Sequence, residues 1–185
     1  MPYTGSASTL MAHNLRLGVD TLWTTQGAGT DASGFAGYDF KVFDPKRSRV
    51  WYKTDRFGND FQYRNLSTGA ETVVAFTNGS AVDSAGAVAF LMAADDCIFS
   101  VMSAGGTPVF SVTDLAATTC YSPTRTGTAP SASSGSWAWG WSDAWHSAFY
   151  FDGGNTVWFL KPTGDPRSAA WAWSSQSITG TVYPN

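Results

Sequence analysis

Imidazole, glutamate and thiol groups are all scarce in this chain. Its 185 residues hold two histidines, His13 and His146, a single glutamate, Glu71, and two cysteines, Cys97 and Cys120. Two imidazoles are too few for most metal centres, and the aspartates show no EF-hand or calcium-repeat spacing, so the sequence assigns no metal and no cofactor. Charge is also sparse: 14% of residues are charged, about half the usual share for a globular protein, and the net charge is −3. That balance disfavours binding to nucleic acid through a broad positive field. No apolar run reaches the roughly 18 residues needed to span a bilayer; the Ala- and Phe-rich stretch 87–94 stops at Asp95-Asp96. The opening residues, Met1 to Ser6, have no basic segment followed by an apolar one, which leads to the expectation of cytoplasmic synthesis without a secretory signal. In that compartment free thiols are favoured over a Cys97–Cys120 bridge, although neighbouring strands would allow one.

What the chain has instead is aromatic and glycine residues: 9 Trp, 7 Tyr, 12 Phe and 19 Gly, within a hydrophobic content of 43%. Its length suits one core. Aromatic side chains carry large apolar area on few rotatable bonds, so they serve equally in a sheet, a sugar site or a subunit contact. Met11, Leu15, Val19 and Leu22 are spaced by four, four and three, which predicts a short helix over 9–25 with Ser8 or Thr9 as its cap. After the Gly-rich connection 27–34, short apolar segments alternate with Gly, Asn, Asp and Pro clusters, the pattern of an antiparallel all-β domain. Strands are expected at 37–43, 48–53, 60–65, 71–77, 87–93, 97–103, 108–113, 137–142, 147–151, 156–160 and 170–173. The clearest hairpins join Phe99–Met102 to Val109–Val112 and Phe149–Phe151 to Val157–Phe159.

The expected architecture is mainly β, an antiparallel sandwich or open barrel with one short N-terminal helix. Residues 1–34 form a helical segment and linker on a β-rich domain spanning 35–185. Residues 122–136 are rich in Ser, Thr and Pro and read as a long loop or arm, ordered by an outside contact or simply mobile. Aromatic hairpins near 40–63, 88–112 and 148–173 suggest a repeat, but their turns and spacings do not align, so a sandwich is a simpler closure than a propeller.

Three groups of residues invite a functional reading. Ser142-Asp143-Ala144-Trp145-His146 has the residue types of a hydrolase triad without a nucleophile elbow. The bland alternative gives Asp143 a turn and His146 the start of a strand. Asp95-Asp96 is no carboxylate pair, because adjacent strand residues face opposite ways. Seven of the eleven basic residues lie between Lys41 and Arg64, and Lys46, Arg47, Arg49, Lys53 and Arg56 make a candidate basic contact surface. Interspersed aspartates favour ion pairing or an acidic neighbouring subunit over single-stranded nucleic acid. Finally, Trp137, Trp139 and Trp141 share one strand face, and Trp171 and Trp173 repeat the spacing. These five and Trp145 read as a core layer, a sugar-stacking platform or a subunit interface.

The Met-Pro-Tyr-Thr-Gly-Ser-Ala-Ser opening, the expected helix from Met11 to Trp23 and a Gly- and aromatic-rich β domain with a Ser/Thr/Pro arm resemble small virion proteins of tailed bacteriophages, of the tail-associated or appendage type. The resemblance implies a non-enzymatic structural subunit located in the virion, with copies of itself and neighbouring virion proteins as partners and no catalytic residues. The alternative expectation is a lectin-like module that binds carbohydrate through tryptophan. The two overlap where an appendage contacts a bacterial surface glycan.

Overall fold

The computed structural model describes residues 8–14, 19–25, 41–52, 60–78, 87–102, 108–130, 139–151 and 155–179, the first two segments as backbone alone. These residues are mostly strand and contain no helix. Where a helix was expected over 9–25, the described residues form strands instead: β1 (Ser8–Asn14) pairs antiparallel with β2 (Val19–Thr25), setting Met11 opposite Leu22. Val19 and Leu22, three apart, fit the helical period and not the alternation of a strand, so the apolar spacing is overridden. Thr9, Val19, Thr21, Thr24 and Thr25, branched at Cβ, tip the balance because they lose less freedom in a strand than in a helix.

Three four-stranded antiparallel meanders follow in order. Sheet one is β3 (Lys41–Asp44), β4 (Arg49–Tyr52), β5 (Asp60–Asn65) and β6 (Glu71–Ala75). Sheet two is β7 (Ala87–Met92), β8 (Cys97–Met102), β9 (Val109–Asp114) and β10 (Thr119–Tyr121). Sheet three is β12 (Trp139–Ser142), β13 (Ser147–Phe151), β14 (Thr156–Pro162) and β15 (Trp171–Ser177), with β11 (Arg125–Thr126) added parallel to β15. The sheets pack face to face as in a β-sandwich, with sheet two in the middle. Alternation along β8 shows how one strand serves two cores. Cys97, Phe99 and Val101 face sheet three, where they meet Trp139, Tyr150, Leu160 and Trp171. Ile98 faces sheet one, beside Val42, Trp51, Phe61 and Phe76. Each core residue of this size contributes about 1.5–3 kcal/mol when fully buried, and Phe99 stacks on Trp171 with centroids 5.3 Å apart.

The repeat that residue spacing hid is plain in the turns. The first and second strands of each of these three sheets are joined by four residues, the last with positive φ: Ser48, Asp96 and His146, about 50 residues apart. The third turns of sheets one and two likewise carry a positive φ at their fourth residue, Gly69 and Thr118. Each of these two turns is capped from its first strand. Asn65 Oδ1 accepts from the Ser67 and Thr68 N–H groups, and Asp114 Oδ1 from those of Ala116 and Ala117. Different residue types meet the same backbone demand, so identity conceals the period. Successive four-stranded meanders are also how propeller blades are built.

The segment 122–130 is no free arm. Its residues 125–126 extend sheet three, Thr124 O accepts from the Trp171 N–H at 2.9 Å, and Pro130 is buried. Residues 131–136 lie outside the described residues. Cys97 and Cys120 are buried thiols on opposite faces of sheet two, so no bridge joins them. Burial pushes the Cys97 thiol up to about 12, which keeps it protonated and inert.

Candidate functional surfaces

The turns after β3, β7 and β12 gather at one end of the stack, and there most of the charge is used between sheets. Asp95 and Asp96 sit in the turn after β7, not in a strand, yet they do point apart. Asp96 receives both Arg47 guanidinium nitrogens at 2.6 Å and Lys46 Nζ at 2.8 Å, tying sheet two to sheet one. Asp95 Oδ2 lies 2.6 Å from His146 Nε2, tying sheet two to sheet three. The partners are 49 and 51 residues apart, one repeat in each case. Arg167 completes the seam, contacting Asp114 through Nε and donating to Asp95 O at 2.6 Å. The hydrogen bonds from Arg47 hold the Asp96 carboxyl well below the usual range. Burial works to raise Asp114, but N–H groups of Ala117 and Ala116 and the Arg167 guanidinium outweigh it and hold it low. Asp44, almost wholly buried, accepts from the Arg47 N–H and from Trp51 Nε1.

This arrangement answers two of the sequence readings. In the triad-like segment, Asp143 opens a turn closed by the His146 N–H to Asp143 O bond of 3.2 Å. The Ser142 hydroxyl accepts from the Trp145 N–H, and the His146 ring is engaged by Asp95. Among the candidate basic residues, Lys46 and Arg47 bind Asp96, and the Arg49 guanidinium carbon lies 3.9 Å from the centroid of the Tyr63 ring. Lys53 and Arg56 lie outside the described residues.

The tryptophans separate by environment. Trp139, Trp171 and Trp173 are core residues, 7%, 0% and 7% exposed, so no ligand or partner reaches their faces. Trp137 lies outside the described residues. Trp141 is half-buried, and Trp145 is 61% exposed at the tip of its turn. Around Trp145 lies a surface that the spacing of the indoles did not indicate, the outer face of sheet three. Phe149, Phe151, Val157 and Phe159 project there from paired positions on β13 and β14, opposite to the core-facing Tyr150 and Leu160. Phe151 is 44% exposed, Trp145 meets Phe159 edge-on at 6.0 Å, and Phe149 covers Gly140, where even a Cβ would strike its ring. The unbroken run Phe149-Tyr150-Phe151 was the available signal: when successive residues of a strand are aromatic, both faces are apolar.

A second surface lies where the first strands β3, β7 and β12 run side by side. They leave an open cleft of about 290 Å³, bordered by Lys41, Phe43, Phe90, Trp141 and Asp143. Compared with known protein families, with curated proteins and with solved structures, the chain matches none. The likeness to phage virion proteins therefore rests on sequence character alone.

Proposed function

We propose that this protein is a non-enzymatic structural subunit that works through its surfaces, a component of a phage tail, baseplate or appendage that contacts its own copies and neighbouring virion proteins. The observation that carries the contact reading is the outer face of sheet three, with Trp145, Phe151, Phe149 and Phe159 gathered on it. Large exposed aromatic patches are uncommon on proteins that stay alone, and aromatic residues dominate the energy of protein interfaces. The charged seam supports the same reading from the other side, since its carboxylates and cations are occupied in holding sheets together. The virion placement comes from the resemblance.

Sedimentation velocity over a wide concentration range tests the contact reading. The wild-type chain is expected to self-associate, and a Trp145→Ser, Phe151→Ser double variant to weaken that association at least about tenfold, in keeping with aromatic anchors at interfaces. Both side chains are exposed, so the variant is expected to keep its unfolding midpoint. A wild-type chain that stays monomeric throughout would argue against self-contact, and an association untouched by the double variant would place the contact elsewhere.

A further inference from the structure

We infer that the cleft between β3, β7 and β12 is a binding site for a neutral, hydroxyl-rich ligand, one pyranose ring of a glycan. Its walls offer flat aromatic faces that are already fixed in place. Trp141 is half-buried, its indole N–H donates to Asp143 Oδ1 at 2.8 Å, His146 meets it edge-on at 5.6 Å and Phe99 lies behind it at 6.0 Å. A ring held on several sides loses little freedom when a ligand stacks on it. Phe43, 56% exposed, and Phe90 supply further apolar surface from the other two sheets. The C–H faces of a sugar suit such rings, which pair an apolar body with a weakly negative face.

The polar groups select against a charged ligand. One cationic side chain, Lys41, and one anionic, Asp143, border the cleft, so its local charge sums to zero. A carboxylate has several acceptor sites beyond the one Trp141 uses, and an ammonium donates, which matches the mixed donor and acceptor character of sugar hydroxyls. A volume of about 290 Å³ lies at the low end of small-ligand sites, roughly 300–1,000 Å³, and suits one ring with its neighbours in solvent. The cleft shares no residue with the aromatic face of β13 and β14, so it stands or falls independently of the proposed subunit contact.

The test is a titration of the isotopically labelled full chain, followed by NMR, with methyl glycosides of glucose, galactose, mannose, rhamnose and N-acetylglucosamine up to tens of millimolar. At least one sugar is expected to give saturable shifts of the Trp141 indole N–H and of amides in 41–43 and 89–91. Phe43→Ala and Asp143→Asn are each expected to weaken it roughly tenfold, the scale of one stacked ring or one charge-assisted hydrogen bond. Both side chains are exposed, and an otherwise unchanged spectrum verifies the fold. No saturable shift with any of the five, or shifts outside the cleft that both variants leave intact, would overturn the assignment.

Discussion

Thr118 ends its turn at φ 50°, a left-handed conformation that a β-branched residue enters only under strain. Gly69 fills the matching place in sheet one at φ 73° without that strain. Thr118→Gly is therefore expected to stabilise the protein by about 1 kcal/mol, with added unfolded-chain entropy offsetting part of the relief. A urea midpoint that falls instead of rising would refute the equivalence of the two turns. Arg47 presents the opposite case, since its guanidinium lies between Asp44 and Asp96 with a side chain only 20% exposed. Arg47→Met removes the cation beside Asp44 and leaves Asp96 with Lys46 alone, and is expected to destabilise by about 2 kcal/mol. The pH dependence follows from the depressed Asp96 and Asp114 carboxyls. A lowered folded-state value contributes stability that is full above the ordinary aspartate value, about 3.9, and is lost as pH falls below it. The urea midpoint should therefore drop steeply below about pH 4, and Arg47→Met should flatten that drop. An unchanged acid slope in the variant would contradict the role given to the pair.

Among the elements, strands were legible wherever apolar runs were bounded by turn residues. The stretches read as 60–65 and 147–151 are β5 and β13 as observed, and the strands of the two expected aromatic hairpins pair with each other. The N-terminal segment was misread because its four apolar residues carry a helical spacing, which the β-branched residues around them outweighed. β10 was missed because Thr119–Tyr121 has only three residues. β11 was missed because Ser-, Thr- and Pro-rich sequence gives no strand signal, and its pairing is made by backbone alone. That docking depends on Gly127, at φ 80°, where a Cβ would stand 2.8 Å from Trp173 O. Gly127→Ala is expected to cost about 1–2 kcal/mol and to speed hydrogen exchange at the Trp171 amide, which Thr124 O protects. Unchanged exchange there would mean that the edge strand holds without the glycine.

At the scale of the whole molecule, the sites were harder to read than the fold. The charged seam joins residues one repeat apart, and the cleft gathers side chains from three sheets, so neither forms a local motif. Composition did indicate the outcome in general terms: low charge together with many aromatics leaves apolar rings over after the cores are filled. The buried Trp139, Trp171 and Trp173 belong to those cores, while Trp145 and the phenylalanines of β13 and β14 are the remainder. Sheet two is covered on both faces by its neighbours, whereas sheet three, last in the series, presents these rings outward. In the proposed function these rings serve assembly into a particle. The most direct test is co-sedimentation of the native chain with nuclease-treated, DNA-containing particles from its source. The account predicts a fixed stoichiometry that the Trp145→Ser, Phe151→Ser variant does not reach; a native chain left wholly in the soluble fraction would contradict it.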